Sequence, residues 1–222
     1  MLRPYTITMT PIEHYRQLIA NDEFKHNPLQ EQAMQQFQHV YAELLAPKKL
    51  FKKKNVKGLY LWGSVGIGKT WLMDIFYQSL PLPKIRMHFH QFMQHVHHEL
   101  KQFQGQSDPL KTIAKHLSKQ AKIICLEEFL VHDITDAMIL ANLLTALFAE
   151  NITLVTTANV EPDNLYRNGL QRGNFLPAIA LLKQYLNTFH LQSTTDYRLR
   201  DLTATGTYFY PLNAEAELFM QQ

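Results

Sequence analysis

Gly58-Leu59-Tyr60-Leu61-Trp62-Gly63-Ser64-Val65-Gly66-Ile67-Gly68-Lys69-Thr70 is the stretch that decides the fold. Residues 63–70 satisfy G-x-x-x-x-G-K-[ST]. An apolar run of strand character, Leu59 to Trp62, precedes them, and a helical pattern, Lys69 to Leu80, follows and stops at Pro81 and Pro83. In the order strand, glycine-rich turn, helix, successive backbone N–H groups converge on phosphate, and the positive end of the helix adds to the attraction. The spacing assigns tasks. Gly63, Ser64, Val65, Gly66, Ile67 and Gly68 form the cradle, Lys69 reaches the β- and γ-phosphates, and the Thr70 hydroxyl is a magnesium ligand. Glycine is otherwise scarce, 8 of 222 residues, so four of them in residues 58–68 mark a backbone that must go without side chains.

On either side the texture differs. Residues 11–45 read as two amphipathic helices split at Asn27-Pro28, the second carrying Ala33, Met34, Phe37, Val40, Tyr41, Leu44 and Leu45 at spacings of three and four. Residues 1–57 are therefore expected to be N-terminal helices and a linker rich in lysine (Lys48, Lys49, Lys52, Lys53, Lys54, Lys57). That lysine cluster reads as a solvated face, since no aromatic side chains interleave to stack on bases. After Gly58, apolar runs alternate with helical segments. Strands are expected at Ile85 to Phe89, Lys122 to Leu126, Ile152 to Thr157 and Asn187 to Leu191. Helices are expected at Gln91 to Phe103, Pro109 to Lys119, Thr135 to Phe148 and Pro177 to Tyr185. This predicts an α/β P-loop core over 58–200, with five parallel strands covered by helices on both faces.

A phosphate loop alone does not separate hydrolysis from binding. The third strand, Ile123-Ile124-Cys125-Leu126, runs directly into Glu127-Glu128, and two carboxylates at an apolar strand end are costly without a cation or a hydrogen-bonding task. In hydrolytic P-loop proteins the first such residue, here Glu127, helps hold magnesium, and the second, Glu128, polarises the attacking water. Asn159, closing Leu154-Val155-Thr156-Thr157-Ala158, is placed to sense the γ-phosphate or orient that water. Arg167 and Arg172 are candidates for an arginine supplied to a neighbour's γ-phosphate, Arg172 first. The expected ligand is ATP with Mg2+.

Composition bounds the rest. A formal charge of +3 is too small to make nucleic acid or an anionic membrane the default partner, and 46% hydrophobic residues exclude a disordered chain. The lone Cys125 excludes an internal disulfide and lies in an apolar run, where cysteine acts as a buried hydrophobe. The start MLRPYTITMT lacks the pattern of a signal peptide, and Ala137 to Ala149 is too short to span a bilayer, so a cytoplasmic protein is expected. His88, His90, His95, His97 and His98 crowd together, but without an H-E-x-x-H or C-x-x-C pattern a zinc site is set aside. No G-x-S-x-G elbow exposes a nucleophile.

Residues 58–74, His-Phe-His-Gln-Phe-Met (88–93), Asp-Ile-Thr-Asp-Ala-Met (133–138), Leu-Tyr-Arg-Asn-Gly-Leu-Gln-Arg (165–172) and Asp-Tyr-Arg-Leu-Arg (196–200) closely resemble the ZapE-type family of cell-division ATPases. That family has mitochondrial relatives and lies within the AAA+ group. The likeness runs from about residue 11 to 212. It implies an AAA+-like ATPase acting on the FtsZ ring, an ATP-dependent homo-oligomer and proximity to the membrane through the division machinery. It also implies that Gly63 to Thr70 bind the triphosphate, Glu127 and Glu128 form the acidic pair, Asn159 is the sensor and Arg172 the finger. Two departures accompany it. Glu127 stands where the family has Asp, and the chain stops at Gln222 where members continue, so 201–222 is expected to begin a further C-terminal region. Two alternatives stay open: a helicase-loader-like ATPase that works on nucleic acid, and a degenerate protein that binds nucleotide with weak hydrolysis.

Overall fold

Hydrophobic residues at helical spacing build the N-terminal pair, α1 (Pro11–Ala20) and α2 (Pro28–Leu45). Asn27 caps α2, its Oδ1 accepting from the Leu29 and Gln30 N–H groups, and Pro28 stands at the first helical position, where a missing N–H costs nothing. The computed structural model describes residues 9–21, 25–47 and 55–192. Lys48, Lys49, Lys52, Lys53 and Lys54, the segment Asp196 to Arg200 and the boundary at 200/201 lie outside the described residues.

The core follows as β1 (Gly58–Trp62), α3 (Lys69–Ser79), β2 (Lys84–His88), α4 (Phe89–Gln102), α5 (Pro109–Gln120), β3 (Ile123–Glu127), α6 (Ile134–Ala149), β4 (Thr153–Ala158), a 3-10 turn (Pro162–Asn164), α7 (Arg172–Tyr185) and β5 (Leu186–His190). The five strands form one sheet in the order β2-β3-β4-β1-β5, every pairing parallel. This is the α/β P-loop fold that the sequence predicts, five parallel strands flanked by helices.

Most element ends shift by one residue from the sequence reading, and the starts of two helices shift further. Phe89 opens α4 instead of closing β2. Its predecessor His88 has extended backbone, and the His88 N–H donates to Gln91 Oε1, which caps the helix so that it starts two residues before the expected Gln91. Helix α7 begins at Arg172, five residues before Pro177, which lies inside it. Burial of Phe175, Ala178, Ile179 and Leu182 outweighs the one backbone bond that Pro177 cannot donate.

Period-two alternation divides the sheet between two cores. Leu59, Leu61, Ile123, Cys125 and Val155 face α1, α2 and α3, where the Phe37 and Phe76 rings pack at a tilt with centroids 4.8 Å apart. Tyr60, Ile124, Leu126 and Leu154 face α4 to α7. On that side burial pushes the Tyr60 phenol upward, and its hydroxyl donates to the Val160 carbonyl. The N-terminal helices thus complete one face of the core.

The chain leaves β1 to cross to β2 at the far edge, returns through β3 and β4, and then passes over β1 to reach β5. In open α/β sheets ligands bind beyond the carboxyl ends of the strands where the winding reverses, here beside β1 and β4.

Candidate nucleotide-binding site

At the ends of β1 and β4 the backbone is tightly tied. Trp62 lies opposite Ala158, the Gly63 N–H donates to the Ala158 carbonyl at 3.2 Å, and the Leu191 N–H donates to the Trp62 carbonyl at 2.8 Å. From this anchor the glycine-rich loop turns into α3. Gly66 has φ 86° and Gly68 has φ 92°, conformations that L side chains rarely adopt. Gly68 is also the N-cap of α3, and a Cβ there would meet Gln30 Nε2 at 2.7 Å. The space that the missing side chains leave belongs partly to the cleft and partly to Gln30.

The cleft holds about 480 Å³ and is lined by Val65, Gly66, Gly68, Lys69, Thr70, Trp71, Asp74, Glu128, Thr157, Ala158 and Asn159. Gly63, Ser64 and Ile67 complete the loop without lining it. Lys69 Nζ donates to the Gly63 and Ser64 carbonyls at 2.8 and 2.7 Å, so its ammonium stands over the loop. Thr70 is exposed at the start of α3, and Asp74 follows one turn later on the same helical face.

Glu128 reaches the cleft through an unusual backbone. Its φ of 52° places a non-glycine residue in the left-handed region, a conformation worth ~1–3 kcal/mol that surrounding structure must impose. Thr157 does so. Its hydroxyl accepts from the Glu128 N–H at 3.4 Å, and its carbonyl accepts from the Phe129 N–H at 2.8 Å. The Glu128 side chain is 73% exposed, with His88 Nδ1 4.0 Å from its carboxylate. Asn159, exposed at the end of β4, stands on the same wall.

Glu127 is placed differently. Its side chain is only 8% exposed and does not line the cleft; its carboxylate accepts from Nε of Arg86 on β2. The same guanidinium donates to Asp74, so Arg86 bridges the end of β3 to the cleft wall on α3. Sequence reading missed Arg86, Asp74 and Gln30. The available signals were a lone Arg between Ile85 and Met87, an Asp among Leu72, Met73, Ile75 and Phe76, and a Gln on the apolar stripe of α2.

Neither arginine candidate lines the cleft. Arg172, at the first residue of α7, donates from NH2 to the Asp163 carbonyl at 2.7 Å, and its Nε is buried without a partner. Arg167 is exposed in the turn before it. That turn is well braced, since the Tyr166 hydroxyl donates to the Leu170 carbonyl and the Tyr166 ring occupies the space beside Gly169.

The donor set fits a nucleotide polyphosphate with a divalent cation. Backbone N–H groups and Lys69 suit the anion, while Thr70, Asp74 and Glu128 add a hydroxyl and two carboxylates that would oppose it unless a cation intervened. Among the described residues no group of three His, Cys, Asp or Glu is placed to hold a metal ion. No helix among the described residues is long and apolar enough to cross a membrane.

The sequence model of the AFG1-like ATPase family matches residues 9–222. The chain is 45% identical over 238 residues to the cell division protein ZapE of Escherichia coli K12, which covers 97% of this chain and 63% of that protein. It thus spans less than two thirds of that relative's length. Among solved structures, DnaI superposes with a TM-score of 0.57 at 18% identity, covering 78% of this chain and 87% of that one. AMPPCP-bound DnaA from Aquifex aeolicus superposes with a TM-score of 0.56 at 14% identity, covering 88% and 57%. At such identities these likenesses speak to the fold.

Proposed function

The chain belongs to the AFG1-like ATPase family, and on that premise we propose that the cleft binds ATP with magnesium and hydrolyses its γ-phosphate in the service of cell division. The observation that carries the reading is the convergence of Lys69, Thr70, Glu128 and Asn159, from β1–α3, the end of β3 and the end of β4, on one cleft. The loop N–H groups hold the phosphates and Lys69 swings from the loop carbonyls to the γ-phosphate oxygens. Glu128, projecting from a strained turn, accepts a proton from the attacking water, which Asn159 orients. Magnesium, when bound, neutralises phosphate oxygens and is faced by Thr70. Glu127 contributes to that ion only by leaving Arg86; otherwise Asp74, one turn from Thr70, is the nearer carboxylate on α3.

An arginine from a second copy completes charge neutralisation in this scheme. The sequence puts Arg172 first, but its guanidinium is committed to the Asp163 carbonyl, whereas Arg167 is exposed and available to a neighbour. Arg167 is therefore our first choice. The partner we propose is the FtsZ ring in the cytoplasm, a reading supported by the 45% identity to a cell division protein.

The test is ATP turnover per subunit against protein concentration, with and without FtsZ polymers. Specific activity that rises with concentration and again with FtsZ supports the shared site and the partner. ATP bound without turnover at any concentration supports a binding-only protein, and stimulation by DNA or RNA in place of FtsZ transfers the partnership to nucleic acid.

A further inference from the structure

Gln30 is 7% exposed on the apolar stripe of α2, in line with Ala33, Met34 and Phe37. A buried amide needs a partner, and this one donates from Nε2 to the Ile67 carbonyl of the phosphate loop at 3.0 Å, across 37 residues of sequence. Its position is fixed from behind. Asn27 caps the turn that carries it, the Tyr15 hydroxyl donates to the Asn27 carbonyl, and Arg16 of α1 pairs with Glu31 next door.

The bond has a consequence for the next residue. A trans peptide is planar, with its C=O and N–H pointing in opposite directions. Turning the Ile67 carbonyl onto Gln30, away from the cleft, turns the Gly68 N–H toward the cleft that Gly68 lines. At φ 92° Gly68 could otherwise take either peptide orientation cheaply, because glycine has no Cβ to decide it. A flipped peptide would present a carbonyl to the phosphates in place of an N–H.

We propose that Gln30 is a positioning residue that locks the Ile67–Gly68 peptide in the phosphate-accepting orientation, which makes the α1–α2 pair part of the nucleotide site. The inference rests on the nucleotide reading of the cleft. It differs from a packing role because Gln30→Met keeps length and apolar contact and removes the amide, whose Nε2 makes the bond to the loop. Gln30→Glu is nearly isosteric and sets a carboxylate against the Ile67 carbonyl.

The experiment measures equilibrium binding of a fluorescent ATP analogue, thermal unfolding without nucleotide, and the amide 1H–15N resonance of Gly68. It compares wild type, Gln30→Met, Gln30→Glu and Lys69→Ala. A charge-assisted bond from one oriented N–H corresponds to roughly a tenfold change in affinity. Gln30→Met is expected to bind about tenfold more weakly and show a displaced Gly68 resonance, with an unfolding temperature lowered by only a few degrees because the Ile67 carbonyl loses its partner, and Gln30→Glu to bind more weakly still. If Gln30→Met binds like wild type while Lys69→Ala loses binding, the positioning role is overturned and the site survives. If wild type itself fails to bind, the nucleotide reading falls. The Gly68 resonance then still decides the peptide lock: displacement in Gln30→Met supports it, and an unmoved resonance overturns it.

Discussion

Arg86→Met, Glu127→Gln and their combination make a double-mutant cycle whose outcome the burial numbers fix. The Arg86 side chain is 19% exposed and that of Glu127 8%, while Asp74, the other partner, is 39% exposed. Removing one member of a buried ion pair strands the other charge at a cost of about 3–5 kcal/mol. The lower end applies here, because Asp74 keeps contact with water and adds little when it loses Arg86. Arg86→Met should therefore destabilise by about 3 kcal/mol, which in a chain of this size lowers the melting temperature by roughly 6–12 °C. Glu127→Gln leaves Arg86 its Asp74 bond and should cost about half as much. In the double variant no charge is stranded, so the combined loss should fall short of the sum by about 2 kcal/mol. Urea unfolding of all four proteins at pH 7 measures this. Additivity within about 0.5 kcal/mol would refute the argument that Arg86 holds Glu127.

Cys125 is buried, and burial pushes its thiol up to about 12. Since the thiolate is the reactive form, a disulfide reagent should leave the folded protein unlabelled between pH 7 and 9 and label it fully in urea; native labelling that climbs with pH would contradict the packing of β3. Hydrogen bonds from His26 and then Arg16 hold the Glu31 carboxyl below its ordinary range. Its contribution is present above the unfolded carboxyl range near pH 4.3 and is lost as pH falls through the lowered folded value. The stability gap between wild type and Glu31→Gln, below about 1 kcal/mol for so exposed a pair, should thus be visible at pH 7 and vanish by pH 2, as read from urea midpoints.

The glycine-rich loop was legible because its chemistry is local: strand, loop and helix are contiguous, and φ 86° and 92° at Gly66 and Gly68 are what such a turn demands. The element sequence was legible from apolar periodicity, though strand order was not, since nothing local says that β4 inserts between β1 and β3. That order decides who meets whom. In register, Arg86 stands opposite Cys125 and His88 opposite Glu127, which brings a β2 guanidinium onto a β3 carboxylate from 41 residues away. Glu127 and Glu128 look equivalent in sequence, yet strand geometry buries one and the left-handed turn at Glu128 exposes the other. Gln30 was readable in principle, a polar residue on an apolar stripe, but its partner was not.

ATP binding and ATP turnover, followed together on wild type, Lys69→Ala and Glu128→Gln, test the central claim most directly. The account predicts that Lys69→Ala loses triphosphate affinity, and that Glu128→Gln binds ATP as wild type does while turnover falls by a factor of about 10²–10⁴, the usual worth of a general base. Wild-type turnover in both variants would contradict it.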